Sequence, residues 1–299
     1  MTIEMIETFL AVMECRNVTA AAQRLYVTQS TASHRLALLE QEVGSPLFLR
    51  RRGQRMVEPT EAGEEFAAIA ERWMALMRDT SAIALRGTRR PFAFGATNLV
   101  NTFTFVPLYQ ELVGSEQDVR ISVRTFHSAE LYQQVESRAV DMGFVYGALS
   151  VPEVLTTPLY QEPMRVVLSG GTDVPETVDP RDLPAEREVY LRWNTPYELW
   201  HNRFWPQGSC LCQVDTGNQL PLALALPGGW AIAPASIARS IEGTGGLVSR
   251  RLGEEAPPLH CFEIHHRYPR PSAEDLIERF SERVHEYVCG REDLLPSAT

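Results

Sequence analysis

Residues 18–43 read VTAAAQRLYVTQSTASHRLALLEQEV, and this stretch decides how the chain begins to fold. Four of its apolar residues recur at the i, i+4, i+7, i+11 spacing of one helical face: Ala32, Leu36, Leu39 and Val43. This spacing predicts a helix that begins near Gln29 and buries the apolar stripe in a core. Thr28 stands at the position of the N-cap.

The opposite face of the predicted helix is short, polar and without negative charge until Glu40. With Thr28 at the helix start, it carries Gln29, Ser30, Ser33, His34 and Arg35. Such side chains suit the major groove of duplex DNA, where they can reach base edges or phosphates.

A shorter helix precedes this one. Thr19 is expected to cap a helix through residues 20–25, and Tyr26-Val27 then makes a tight joint. Two helices joined so closely are typical of a helix-turn-helix. An ordinary helical hairpin fits the spacing equally well.

A cluster of arginines follows the second helix and favours the first alternative. Gly44 is expected to end the helix, and Ser45-Pro46-Leu47-Phe48 leads to four guanidinium groups: Arg50, Arg51, Arg52 and Arg55. A hairpin with four guanidinium groups beside such a helix is suited to grip phosphates as a wing. The other interpretation is a solvated run of charge.

The N-terminal segment is similar to the signature of the LysR-type transcriptional regulators. The shared residues are the Ala-Ala pair ahead of Gln23, Leu25, Val27, Gln29, Ser33, Leu39-Glu40, Gly44, Pro46-Leu47-Phe48, Arg50 and Thr60-Glu61-Ala62-Gly63. The resemblance implies that Gln29, Ser30, Ser33 and His34 face the DNA and that the wing arginine contacts the minor groove or the backbone. His34 stands where that family usually has arginine, and Arg16-Asn17 where Gly-Ser is common, which bears on base preference and not on the fold.

Charge and composition narrow the classes of function. The 299 residues carry a net charge of −10, but residues 1–60 hold seven arginines against six glutamates, so positive charge is concentrated in the wing. All 28 basic residues are arginine, and this absence of lysine excludes Schiff-base chemistry, pyridoxal phosphate attachment and a Walker-A site. No cofactor and no metal is predicted.

The five cysteines indicate a reducing, cytoplasmic setting without a disulfide framework. Cys210 and Cys212 form the only close pair, and a redox or metal role for them stays open beside that of two ordinary thiols. The acidic N-terminus does not resemble a signal peptide, and Ile6, Phe9, Leu10 and Met13 predict an amphipathic first helix. Prolines and glycines interrupt the uncharged run 216–238, which is therefore predicted to hold a buried helix, a turn and a strand and not a membrane span.

A long helix is predicted from Thr60, its expected cap, to about Arg86. Apolar residues and one threonine alternate at spacings of four and three, as in a coiled-coil seam: Ala62, Phe66, Ile69, Trp73, Leu76, Thr80 and Ile83. About 27 residues at roughly 1.5 Å each make a rod of ~40 Å, which a monomer would leave uncovered. We therefore expect dimerisation through this helix, although packing on the protein's own domain is the alternative. Residues 87–91 are typical of a hinge.

From residue 92 onwards the pattern alternates between strands and helices. Predicted strands are FAFGAT, VRISVRTF, AVDMGFVYG, MRVVLS, EVYLRW, CLCQV and GWAIA, and predicted helices span 103–112, 130–137, 197–204, 220–226 and 235–241. This alternation indicates parallel α/β architecture. The resemblance implies two subdomains hinged like a periplasmic solute-binding protein, with crossings near Met164-Arg165 and His266-Arg267 and a last helix at 272–289 packed on the first subdomain. The predicted domains are a winged helix-turn-helix (1–59), a linker helix and hinge (60–91) and an effector domain (92–299), divided into 92–164 with 267–299 and 165–266.

Polar residues after the predicted strands are candidates for a small-molecule cleft, because ligands of such folds bind at the carboxyl ends of strands. They are Thr97, Asn98, Asn101, Thr102, His127, Ser128, Tyr146, Trp193, Asn194 and Thr195. Each of them could instead be a cap or turn residue. Trp193, Tyr197, Trp200 and Trp205 suggest an aromatic wall or, equally, core packing, and Arg192 could pair with an acidic effector or with a surface carboxylate.

The sequence thus favours a DNA-binding regulator without enzymatic activity, controlled by a small-molecule effector. Expected partners are double-stranded DNA, the effector, a second copy through the linker helix, a homotetramer built from two dimers, and RNA polymerase, with no membrane. A solute sensor without a specific DNA function and an α/β enzyme are the alternatives, although no Gly-x-Ser-x-Gly or His-Glu-x-x-His motif supports an enzyme.

Overall fold

The computed structural model describes residues 1–49, 56–84, 89–169, 174–205, 210–224, 228–242 and 246–297. The chain divides into two compact units, Met1–Thr88 with Ser137–Ala139, and Arg89–Glu136 with Val140–Thr299. Within the described ranges, no helix combines the length and apolar character needed to cross a membrane. These ranges also contain no group of three or more His, Cys, Asp or Glu residues placed to hold a metal ion.

The first unit is helical, with a small hairpin. Its elements are α1 (Ile3–Cys15), α2 (Val18–Arg24), α3 (Gln29–Val43), β1 (Phe48–Leu49), β2 (Glu58–Pro59) and α4 (Glu61–Ala84). Ile6 and Phe9 of α1 pack with Leu36 and Leu39 of α3, and all four are fully or almost fully buried. The amphipathic first helix and the apolar stripe of α3 are therefore confirmed.

The helix boundaries follow from caps. Thr28 caps α3 as predicted, because its hydroxyl accepts a hydrogen bond from the Thr31 amide, and Gly44 ends α3 with φ +77°. The prediction that Thr19 caps α2 is wrong. Asn17 takes that place, since its side-chain oxygen accepts from the amides of Thr19 and Ala20, which starts the helix at Val18.

A close approach explains the glycine at the start of α4. The Thr60 hydroxyl accepts from the Gly63 amide and donates to the Pro46 carbonyl, so the predicted cap of α4 is confirmed. A Cβ atom at Gly63 would lie 2.2 Å from the Leu47 carbonyl oxygen, which leaves no room for another side chain. The Thr-Glu-Ala-Gly sequence thus holds α4 against the base of the wing.

The apolar residues of α4 fall into two sets. Phe66 is buried, with its ring 5.1 Å from that of Phe9, so this part of the expected seam belongs to the core of the unit's own domain. Ile69, Trp73 and Leu76 are 54%, 38% and 58% exposed. The side chains of Thr80 and Ile83 lie outside the described residues.

The second unit is a mixed α/β structure. Its strands are β3 (Arg90–Ala96), β4 (Val119–Thr125), β5 (Met142–Tyr146), β6 (Val154–Glu162), β7 (Met164–Ser169), β8 (Thr177–Val178), β9 (Val189–Tyr190), β10 (Cys212–Gln213), β11 (Trp230–Pro234), β12 (Leu247–Leu252), β13 (Leu259–His266) and β14 (Leu295–Pro296). Its α-helices are α5 (Val106–Ser115), α6 (Ser128–Glu136), α7 (Thr195–His201), α8 (Leu220–Ala223), α9 (Ala235–Ile241) and α10 (Glu274–Cys289). Val100–Thr104 forms a π-helical turn, and Pro180–Asp182, Ala185–Arg187 and Gly217–Gln219 form 3₁₀ turns.

The sheets are mixed, so the expectation of parallel architecture is only partly right. One sheet has the order β14-β6-β13-β5-β3-β4, in which β3 pairs in parallel with β4 and β5 while the other pairs are antiparallel. The other large sheet has the order β11-β7-β12-β8. The strand β6 was not predicted. It contains Pro158, a residue typical of bulges, and its register with β13 shifts beside that proline.

The chain passes from the six-stranded to the four-stranded sheet at Pro163, as expected. It returns between β12 and β13, in residues 253–258, and not near His266-Arg267, because β13 pairs with β5 and β6. The helix α10 packs on the first sheet as predicted, with the Phe280 ring 4.8 Å from that of Phe92.

Candidate functional site

The outer face of α3 presents polar side chains that have few partners within the chain. Gln29, Ser30 and His34 are exposed and Ser33 is half-buried, opposite the buried Leu36. The hydroxyl groups of Thr28 and Ser30 share a hydrogen bond of 2.9 Å. The side chains of Gln29 and His34 make no hydrogen bond among the described residues. This face is therefore available to donate and accept hydrogen bonds with another molecule.

Charges around this face are arranged by neighbouring elements. The Arg35 guanidinium lies 3.5 Å from the Thr8 hydroxyl of α1, so it is held at the side of the face. The Glu40 carboxylate accepts hydrogen bonds from the amides of Leu47 and Phe48, which directs its charge to the base of the wing. Negative charge is thus kept away from the exposed end of α3.

The predicted wing is described only at its base. The strands β1 and β2 pair antiparallel, Phe48 opposite Pro59 and Leu49 opposite Glu58. This pairing places Leu49 and Glu58 side by side, on either side of the segment that carries the predicted wing arginines. The four predicted phosphate contacts, Arg50, Arg51, Arg52 and Arg55, lie outside the described residues.

Tyr26 lies in the turn between α2 and α3. It is a candidate contact to DNA that the sequence analysis did not identify. Its side chain is 96% exposed and its φ is +55°, a backbone conformation that few residues other than glycine adopt. The turn is held by backbone hydrogen bonds from the Tyr26 amide to Gln23 and from the Val27 amide to Ala22. An aromatic residue at the predicted joint was the available signal.

The carboxyl ends of three adjacent strands bring together several of the predicted effector residues. The Thr97 amide donates to the Phe144 carbonyl, and the Ser128 hydroxyl lies 3.4 Å from the Tyr146 carbonyl oxygen. Thr97 also has a buried hydroxyl without a partner in the described residues. Asn98 is half-buried beside it and His127 is exposed. An unsatisfied hydroxyl at strand ends is suited to a polar ligand.

Other predicted effector residues are occupied within the fold. Asn101 donates to the Arg124 carbonyl and the Thr125 hydroxyl and accepts from the Tyr109 hydroxyl, so it ties three elements together. Thr102, next to it, is exposed. The Tyr146 hydroxyl donates to Glu162 at 3.0 Å and lies 3.0 Å from the Tyr160 hydroxyl. These contacts give Asn101 and Tyr146 a structural role.

Within the second unit, we call the parts built on the six-stranded and four-stranded sheets the first and second lobes. The second lobe contributes three predicted residues at the start of α7. The Trp193 indole donates to the Ile232 carbonyl at 2.9 Å, Asn194 caps α7 through the Tyr197 amide, and Thr195 is exposed. In the part of the chain that the structure describes, no hydrogen bond joins them to Thr97 or Ser128. Tyr197, Trp200 and Trp205 are buried in the core, which decides against an aromatic wall made of them. Arg192 pairs with Glu198 at 2.8 Å, and Cys210 and Cys212 are free thiols.

A buried carboxylate next to the crossing between the lobes was missed. Glu162 is fully buried, and its Oε1 accepts from the Ser236 amide at 2.6 Å while its Oε2 accepts from Tyr146. Burial raises the pKa of Glu162 to about 7, although the hydrogen bonds from the Ser236 amide and the Tyr146 hydroxyl act in the opposite direction. No local pattern of residues points to this contact, because Glu162 and Ser236 are far apart along the chain.

Two family models match the chain. Residues 3–64 match the model described as "Bacterial regulatory helix-turn-helix protein, lysR family", and residues 85–286 match "LysR substrate binding domain". A curated relative, the HTH-type transcriptional regulator HdfR of Yersinia pestis (strain Pestoides F), is 27% identical over 208 residues, which are 68% of this chain and 70% of the relative.

Solved structures of similar fold span nearly the whole chain. CbnR, described as a LysR family transcriptional regulator, aligns with a TM-score of 0.67 at 20% identity over 96% of this chain and 99% of its own. A full-length OxyR variant from Pseudomonas aeruginosa aligns with a TM-score of 0.66 at 18% identity over 100% of this chain and 98% of its own. CbnR in complex with its target DNA aligns with a TM-score of 0.66 at 21% identity over 96% of this chain and 100% of its own.

Proposed function

Because this chain belongs to the LysR family of bacterial regulators, we propose that it reads duplex DNA with the outer face of α3 and senses a small molecule at the strand ends of its second unit. The chain is a LysR-type DNA-binding transcriptional regulator with an effector-binding domain. The proposal concerns which residues perform these two tasks.

The observation that carries the DNA interface is that the side chains of Gln29 and His34 are exposed, without hydrogen bonds among the described residues, opposite the buried stripe of α3. Gln29, Ser30, Ser33 and His34 would enter the major groove, because amide, hydroxyl and imidazole groups can each donate to or accept from base edges. Thr28 and Arg35 flank this face and would contact phosphates. The arginines from Arg50 to Arg55 would grip the backbone from the wing.

The exposed residues of α4 support a dimer. Ile69, Trp73 and Leu76 lie at helical spacing and are one-third to more than one-half exposed, an apolar row that a second copy of α4 could cover. A dimer would present two copies of α3 to a partly palindromic site, and two dimers would form a homotetramer. The related CbnR is known as a complex with its target DNA. We also propose contact with RNA polymerase and a cytoplasmic location, where a bacterial regulator meets the chromosome.

Thr97, Asn98, His127 and Ser128 are the proposed effector contacts from the first lobe, supported by the unpartnered Thr97 hydroxyl. Thr102 and, from the other lobe, Trp193, Asn194 and Thr195 would complete the cleft. A ligand that binds both lobes would favour one relative arrangement of them, because control requires different affinities for two states. The proposed lobes are those of the two large sheets, and β13 belongs with the first.

The test is selection of fragments of the genome on the full-length protein. We expect a small set of fragments to be retained at an ionic strength that releases random duplex, because base contacts are less sensitive to salt than phosphate contacts. Genes beside the retained fragments would supply candidate effectors for binding assays. Retention of no fragment, or equal retention of all fragments, would contradict the assignment of α3 as a sequence reader.

A further inference from the structure

A groove lies between β13 and α10. Its volume is about 670 Å³. Residues from both elements line it, including Glu263, His265, Glu278, Ser281, Glu282 and His285. None of these residues takes part in the functions proposed above, so the groove requires an explanation of its own.

The groove contains a buried carboxylate that is only half satisfied. Glu263 is 4% exposed, and its Oε1 accepts from the Ser281 hydroxyl at 2.8 Å. Its Oε2 is buried and has no hydrogen-bond partner among the described residues. Burial raises the pKa of Glu263 to about 7. A carboxylate oxygen without a donor is costly in the interior, so this atom marks a place where a ligand could donate.

Three further carboxylates form a row beside it. Glu274, Glu278 and Glu282 line the groove from α10 at intervals of four residues, which places them on one side of the helix about 6 Å apart along its axis. Arg267 is the lining residue with a permanent positive charge. Ile277 and Pro269 supply apolar surface. The lining thus combines spaced negative charges with apolar contacts.

We propose that this groove binds a linear aliphatic polyamine. One ammonium group would donate to Oε2 of Glu263, and the others would lie along the carboxylates of Glu278 and Glu282, while the methylene segments contact Ile277 and Pro269. Within the described residues no acidic or histidine cluster is placed to hold a metal ion, which favours an organic cation. The chain has no lysine, so a second copy could not supply an alkylammonium side chain.

Calorimetric titration of the full-length protein with spermidine tests the proposal. DNA is left out, because polyamines also bind phosphates. We expect spermidine to bind more tightly than putrescine, and putrescine more tightly than butylamine, since each added ammonium group gains a carboxylate. Magnesium chloride at matched ionic strength should not displace spermidine. Equal binding of butylamine, displacement by magnesium, or no spermidine binding at millimolar concentration would each overturn the proposal.

Variants locate the site. Glu263→Gln should weaken spermidine binding by about tenfold to a hundredfold, the range for losing a charge-assisted hydrogen bond. Glu286→Gln removes the same charge from α10 outside the groove and should change the affinity little. If Glu263→Gln fails to fold, the exposed pair Glu278→Gln with Glu282→Gln serves instead, with a loss of about tenfold expected. Equal affinity in groove and control variants would place any binding elsewhere.

Discussion

The outer face of α3 and the strand ends of the second unit use the same kinds of polar residue in opposite ways. On α3, the side chains of Gln29 and His34 are exposed and make no hydrogen bond among the described residues. In the second unit, Asn101 makes three hydrogen bonds and Tyr146 joins Glu162 inside the fold. The first set is available to a partner, whereas much of the second set stabilises the protein.

The difference teaches how to separate binding residues from structural ones. A polar side chain whose donors and acceptors are satisfied within the fold has little left for a ligand, and its removal leaves its partners unsatisfied. An exposed, unpaired side chain can be removed without loss of stability, and any effect of its removal falls on binding.

The largest expected effect concerns Glu162, the most deeply buried member of the structural set. Its pKa is about 7 in the folded protein and 4.5 ordinarily, so the folded state binds the proton more tightly. Protonation of Glu162 therefore stabilises the folded state. This contribution to the free energy of unfolding is fully present below pH 4.5 and is lost as the pH rises to about 7, a change of ~3 kcal/mol. Glu162→Gln should remove this contribution, measured by urea unfolding at a series of pH values.

The exposed Glu286→Gln is the matched control for that series. Its pH dependence should follow that of the wild type, including the contribution of Glu263, which has the same sign. If Glu162→Gln and wild type were to lose stability in parallel between pH 4.5 and 7, the buried carboxylate would not be linked to folding.

The second prediction concerns Gln29, one of the exposed residues of α3. Gln29→Ala should reduce the preference for a selected operator over random DNA by ~1–3 kcal/mol, because the amide is expected to contact a base edge. The free energy of unfolding should change by less than about 0.5 kcal/mol, since the side chain is exposed. Gln41→Ala, near the other end of α3, is the control. Unchanged discrimination in a competition gel shift would exclude Gln29 from base readout.

The smallest expected effect distinguishes Asn101 from its neighbour Thr102, since the sequence predicts both as effector contacts. Asn101→Ala should lower the free energy of unfolding by about 1–2 kcal/mol, because the Arg124 carbonyl, the Thr125 hydroxyl and the Tyr109 hydroxyl all lose a partner. Thr102→Ala should leave it nearly unchanged, since Thr102 is exposed. Thermal unfolding of the two variants measures the difference. Equal stabilities would show that the Asn101 contacts add nothing to the fold.

The first unit was predicted well because its signals are local. The stripe from Ala32 to Leu39 and the Thr28 cap lie within one helix, and Gly44 ends it. The cap of α2 is Asn17 and not Thr19, so the helix starts two residues earlier than predicted, at Val18, an error of the usual size for helix boundaries. The Thr60-to-Gly63 segment combined a cap with a glycine that steric contact requires.

The second unit was predicted less well because its decisive contacts are distant in sequence. The strands β6 and β13 are about a hundred residues apart, and β6 contains Pro158, a residue that argues against a strand when only the sequence is considered. The partners of Glu162 and Glu263 lie on other elements, so neither carboxylate could be identified from local spacing. Thr97 and Ser128 lie beside the end of β5, but the hydrogen bonds of the effector candidates were not visible in the sequence.

The sequence by itself determined the helix-turn-helix, the polar face of α3 and the family, because helical periodicity, caps and short motifs depend on residues within a few turns of one another. Only the tertiary structure decided which polar groups are satisfied: it joined Asn101 to β4, Glu162 to the start of α9, and left Oε2 of Glu263 unpaired in its groove. The physical reason is that hydrogen-bond satisfaction and burial depend on which distant segments pack together, and local patterns do not specify that.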